Sequence, residues 1–304
     1  MRVRVLGSAA GGGFPQWNCG CDNCRAARDG EPVVRPRTQE SLALTGDDGE
    51  SWFIINASPE IRAQIESFPA LWPRSPRHSP IAGILLTNGD LDHCLGLLSL
   101  RESHPLVLYA TAAVEAGFTG GNVLYRTLQR FAGQVTWRPL ALGEAQPLGD
   151  PGSGLEVTAI PLPGKLPLHL EGLRPPSPED NVGLVIRDRR SGGRLCYCSG
   201  VGGPSPALER AAADADVLFF DGTFWSSGEL VAAGLGTRSA EEMAHWPVGG
   251  PAGSLAFLSR LGARRRLLTH VNNTNPLLRA GGAERRALEA GGVELAEDGL
   301  ELTL

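Results

Sequence analysis

A chain of 304 residues that is 42% apolar can build one large α/β core or two small ones, which excludes wholesale disorder. A formal net charge of -5 argues against binding a nucleic-acid backbone. There is no uninterrupted run of 18 apolar residues and no N-terminal stretch of signal-peptide character, so no membrane span is expected and the cytoplasm is the default location.

In chain order, residues 2–6 alternate as an edge-accessible strand and run into Gly11, Gly12 and Gly13. Residues 41–46 and 51–58 read as a hairpin turning on Asp47, Asp48 and Gly49. Pro59 then starts a helix over 60–68. An apolar strand at 81–88 meets a helix over 92–102, and another strand follows at 106–110. Residues 112–131 are helical in parts. In the second half, 155–162 is a strand and 163–180 a proline-rich loop suited to a lid. Residues 181–188 and 193–200 pair, 205–215 is helical, and 216–222 and 264–272 are apolar strands. A helix at 284–292 and two short strands within 293–304 close the chain. The expectation is a single domain over 1–304, an α/β sandwich of two mixed sheets with helices outside.

Three places concentrate ionisable groups. Asp90, Asp92 and His93 sit at a strand-to-helix turn, where open sheets expose chemistry. Two carboxylates and an imidazole at that spacing call for a cation or for hydrogen-bond partners, although a solvated turn with an N-cap aspartate would read the same. Asp221 and His270 each end a strongly apolar strand. Convergence of the three ends makes Asp90, Asp92, His93, Asp221 and His270 the expected catalytic and metal-binding set. Two histidines and a carboxylate with open positions suit non-haem Fe(II) and O₂ chemistry.

Cys19, Cys21 and Cys24 form C-x-C-x₂-C, which suits zinc better than a disulfide framework. A structural Zn(II) needs a fourth ligand, and His245, Cys94 or a residue near His270 are the candidates. Cys196 and Cys198 alternate along one strand and are read, with Cys94, as core. The glycines at 11–13 fit no dinucleotide or P-loop pattern and are expected to carry the first loop past the metal site. Trp17 and Trp225 are weighed between lining a ring pocket and ordinary packing, and Asn272, Asn273 and Asn275 between capping a turn and orienting ligands.

The stretches LGSAAGGGFPQWNCGCDNC (6–24), DLDH (90–93), FFDGTFW (219–225) and THVNNTNP (269–276) resemble the pyrroloquinoline quinone (PQQ) biosynthesis protein B family, and the likeness runs the length of the chain. This family is a branch of the metallo-β-lactamase superfamily, so the resemblance implies an αββα sandwich. Hydrolytic members carry H-x-H-x-D-H, and here Asn88 and Asp90 stand in that frame's two leading histidine places. The superfamily's middle histidine would fall near Pro163–Lys165, where there is none; His169 is read as a loop residue. Ser227 and Gly228 replace an acidic pair of the family, while Glu229 is kept.

The resemblance implies an iron-dependent oxygenase that hydroxylates the tyrosine ring of a glutamate–tyrosine precursor, with O₂ as co-substrate. A non-catalytic carrier of PQQ or its precursor towards the periplasm and a zinc-dependent hydrolase are the alternatives. A homodimer and contacts with other proteins of the PQQ pathway are compatible with the chain, and nucleic acid is not expected as a partner.

Overall fold

The computed structural model describes residues 1–46, 49–149 and 153–304. Strands β1 (Arg2–Gly7), β2 (Ser41–Thr45), β3 (Trp52–Ile55), β4 (Ile81–Leu85), β5 (Leu106–Ala110) and β6 (Val135–Pro139) belong to a first sheet. Strands β7 (Ala145–Pro147), β8 (Leu155–Pro161), β9 (Val182–Asp188), β10 (Arg194–Cys198), β11 (Val217–Asp221), β12 (Arg265–Thr269) and β13 (Glu294–Leu295) form the second. The last strand, β14 (Glu301–Thr303), returns to pair with β1. The strand orders are β14-β1-β2-β3-β4-β5-β6 and β13-β12-β11-β10-β9-β8-β7.

Both sheets are mixed. The expected pairs β2–β3 and β9–β10 are antiparallel. Strands β3 to β6 run parallel, as do β10 to β13. Because β14 covers one side of β1, that strand is not the accessible edge its sequence suggested. The turn expected at Asp47 and Asp48 lies outside the described residues. The short strands β6 and β7 and the helices Asp22–Arg28 and Ser254–Leu258 carry too little periodicity to be read in advance.

Period-2 alternation divides each strand between two layers. Val3, Leu42, Phe53, Leu184, Tyr197 and Phe219 point into one core between the sheets. Their neighbours point outward, under helices. Ala43, Ile54 and Leu108 pack beneath Ile61 and Val114 of the helices Ile61–Glu66 and Ala112–Thr119. Cys196, Phe220 and Leu268 pack beneath Leu208, Phe257 and Leu288 of three others. Burial on both faces explains why these strands read as continuous apolar runs. The layer order is therefore αββα. Chain entry and exit for β4, β11 and β12 put three polar loop starts at one rim, outside the carboxyl ends of parallel strands.

Candidate metal centre

The turn after β4 presents Asp92 and His93 on the short helix Leu91–Cys94. Asp221 is the last residue of β11, and His270 follows β12 in the left-handed region at φ 57. A non-glycine residue there is strained and is held by its surroundings. Among the described residues, ligand atoms of Asp92, His93 and His270 lie within 4.8 Å of one another, and so do those of Asp221, His245 and His270. Asp90 lines the same cleft but belongs to neither triplet; its backbone N–H donates to Asn88 Oδ1 at 2.9 Å.

The imidazoles are oriented from behind. His93 Nδ1 lies 2.9 Å from Glu40 Oε1, and that oxygen also accepts from Asn56 Nδ2 at 2.5 Å. With Nδ1–H held by Glu40, Nε2 of His93 faces Asp92 Oδ2 at 3.5 Å. His270 repeats the pattern: Nδ1 is 2.7 Å from Thr223 Oγ1 and Nε2 is 3.2 Å from Asp92 Oδ2. The Thr223 hydroxyl donates to Asp221 Oδ1 at 2.6 Å, so it accepts from His270. His245 Nδ1 reaches Asp221 Oδ2 at 2.7 Å, placed by Ala244 at φ 61. A partner on the rear nitrogen fixes the tautomer and frees the other nitrogen as a ligand.

Charge is concentrated here. Burial pushes the Asp92 carboxyl up, but His93 and His270 outweigh it and hold it well below the usual carboxylate range. Burial pushes His93 down, and Asp92 and Glu40 more than reverse this, leaving it well above 6.5. His270 is raised in the same sense, by Asp92. Burial also pushes Asp221 up, and His245 brings it below its ordinary value. Two carboxylates, Asp92 and Asp221, among three imidazoles form a donor set suited to a divalent cation, with Glu40 behind His93.

The first loop reaches the cleft as expected. Backbone bonds between Ala10 N and Val271 O, 3.0 Å, and between Val271 N and Ser8 O, 3.0 Å, tie it to the end of β12. A Cβ at Gly11 would stand 3.2 Å from Asp92 Oδ2, so glycine permits the close approach. Gly164, Lys165, Leu168 and His169 of the proline-rich loop form another wall.

The Cys19, Cys21 and Cys24 sulfurs also cluster within 4.8 Å. His245 and Cys94 are not at this cluster, contrary to two of the sequence expectations. His245 is committed to Asp221, and Cys94 donates to Gly89 O from within the outer core. The third expectation, a residue near His270, meets Asn273, whose Nδ2 lies 3.1, 3.6 and 3.5 Å from the three sulfurs in order. Burial raises both Cys24, to about 11, and Cys21, but for Cys21 hydrogen bonds from Cys24 and Cys19 prevail and lower it below 9.0. Nearby, Asn275 Nδ2 donates to Gly222 O at 2.9 Å and Thr223 O at 3.2 Å. The asparagine run thus both caps a turn and links the cysteines to the cleft.

Trp17 is 85% exposed and Trp225 packs against the outer core, so neither lines the cleft; Phe224 does. Ser227 and Gly228 are exposed and lie off its walls. Glu40, Asn56 and Thr223 were not singled out in the sequence, and no local pattern marks them.

The layers and the site's position define a class, the metallo-β-lactamase fold, and residues 51–271 match the family described as the beta-lactamase superfamily domain. The chain is 45% identical over 306 residues to coenzyme PQQ synthesis protein B of Pseudomonas paraeruginosa, and 43% identical over 305 residues to that of Azotobacter vinelandii, covering 100% of each chain. Zinc-bound PqqB from Methylobacterium extorquens superposes with a TM-score of 0.93 at 44% identity over the whole of both chains. The chain belongs to the coenzyme PQQ synthesis protein B family. A diphosphatase of the PhnP family, at TM-score 0.68 and 21% identity, shares the fold.

Proposed function

We propose that this protein acts in PQQ biosynthesis, in the cytoplasm, as an iron(II)- and O₂-dependent hydroxylase of the tyrosine ring of a glutamate–tyrosine precursor. The relatives' names support the pathway. The observation that carries the chemistry is the convergence of Asp92, His93 and His270 on one cleft. Two histidines and one carboxylate with open positions are the donor face of non-haem iron oxygenases. Fe(II) held there would supply O₂ activation, with two electrons per hydroxylation drawn from an external reductant.

The remaining work belongs to the protein. Glu40 and Thr223 hold protons at the rear nitrogens of His93 and His270 and so aim both rings. The Asp221–His245 pair holds a proton at His245 Nδ1 beside the cleft. Phe224 offers an apolar face to a ring, and the proline-rich loop forms another wall. Cys19, Cys21 and Cys24 would hold a structural Zn(II), with the Asn273 amide donating to their sulfurs. No helix among the described residues is long and apolar enough to cross a membrane.

The test is to load the protein anaerobically with Fe(II), add a reductant, ¹⁸O₂ and the glutamate–tyrosine compound, and read the product by mass spectrometry. Label in the ring is expected, and it should vanish in His270→Ala. Bound iron with no incorporation would overturn the oxygenase reading.

A further inference from the structure

We propose that Lys165 anchors a carboxylate of the substrate and sets the specificity of the cleft for carboxylated ring compounds. This rests on the PQQ-pathway reading but not on the oxygenase step. Lys165 is the sole lysine of the chain, and no arginine lines the cleft, although the protein is arginine-rich. Half-buried, it faces the same cavity of about 480 Å³ as His93, His245 and His270. That volume suits one small organic ligand.

Among the described residues that line the cavity, Lys165 is the sole lysine or arginine, and His169 on the same wall is exposed. Asn88 Nδ2 donates to Asn181 Oδ1 at 3.5 Å, Asn181 Nδ2 to Gly200 O at 2.8 Å, and Asn272 Nδ2 to Thr274 Oγ1 at 2.6 Å. The Thr223 hydroxyl is given to Asp221, and the rear nitrogens of the three histidines are engaged by Glu40, Asp221 and Thr223. Among the described residues, no ion pair or side-chain hydrogen bond engages the Lys165 ammonium. A cation left without a protein partner inside a cavity is matched by an anion on the ligand.

The backbone beneath it is fixed. A Cβ at Gly164 would come within 2.4 Å of Asn181 Nδ2, and Gly202 N donates to Pro163 O at 2.7 Å. The ammonium therefore searches on its own flexible stem from a fixed base, which suits a point contact with a carboxylate. Phe224, the metal face and Lys165 line one cavity, which lets a single ligand present a ring to the first two and a carboxylate to the third.

The probe is PQQ, compared with its trimethyl ester, titrated into zinc-loaded protein and followed by calorimetry. Lys165→Met should weaken PQQ binding by about 10- to 100-fold, the range of one charge-assisted hydrogen bond. It should leave ester binding, zinc content and melting temperature unchanged, and Lys165→Arg should restore most of the affinity for the acid. The proposal is overturned if Lys165→Met binds the acid as the parent does, if acid and ester weaken together, or if the parent binds neither. Failure of ¹⁸O incorporation with the acid–ester difference intact would count against the oxygenase reading alone.

Discussion

Replacing Glu40 by glutamine tests whether the rear partner of His93 governs the metal. The side chain is wholly buried, with Oε1 2.9 Å from His93 Nδ1 and 2.5 Å from Asn56 Nδ2, and Oε2 makes no hydrogen bond. Glutamine keeps the shape and one acceptor, so the fold should hold, and only the charge fixing Nδ1–H is lost. Removing such a partner costs about 10- to 100-fold in metal affinity, or about 1.4–2.8 kcal/mol. The pH dependence carries a second sign. Protons on His93 Nε2 compete with the metal, and Asp92 and Glu40 raise that ring's pKa. Without Glu40 the ring loses its proton more readily, so competition eases in acid. The deficit should be largest in alkaline buffer and shrink as the pH falls. Zinc titration against a fluorescent chelator, with the cysteine cluster already filled, reads both effects. Equal affinities in alkaline buffer, or a gap that widens in acid, would refute the reasoning.

His245→Ala should lower metal content at the cleft and spare the zinc on the cysteines; metal analysis showing the reverse would place His245 elsewhere. Cys24→Ser should remove one zinc per chain and lower the melting temperature, since structural zinc binding adds directly to folding free energy. Burial raises Glu229 from 4.5 to about 7, against hydrogen bonds from Thr274 and Trp225. A raised folded pKa gives a contribution fully present below 4.5 and lost as the pH climbs through 7, at most about 3 kcal/mol. Glu229→Gln should flatten that part of the stability profile, and an unchanged slope would remove Glu229 as its source. We take 1–304 as one domain, because both sheets share a core, and expect one cooperative unfolding transition; two separate transitions would divide it.

What was legible in the sequence follows from range. Asp221 and His270 stood out because each ends an apolar strand, and parallel pairing of β11 with β12 brings those ends together. Asp92 and His93 stood out because a strand-to-helix turn is local. Glu40 did not, because its role depends on a contact with His93 across 53 residues and three intervening strands. EEMAHWP fixes no direction for His245, which left it between the cysteine cluster, the pocket and ordinary packing; a left-handed Ala244 turns the ring to Asp221 in the pocket. Two packed sheets with helices outside were readable from the mixed α/β order with its hairpins, and the αββα layering from the family resemblance, whereas β6 and β7, short and half-exposed, left almost no pattern.

His270 belongs to both triplets, yet its Nδ1 is tied to Thr223, so it has a single lone pair to give. One imidazole nitrogen cannot serve two ions. An ion seated with Asp92 and His93 leaves the Asp221 side with only His245 as a nitrogen donor, and that carboxylate already accepts from Val201, Thr223 and His245. The threonine hydroxyl thus commits His270 to one side of the cleft at a time, and an ion on the Asp221 side would take its nitrogen from His245.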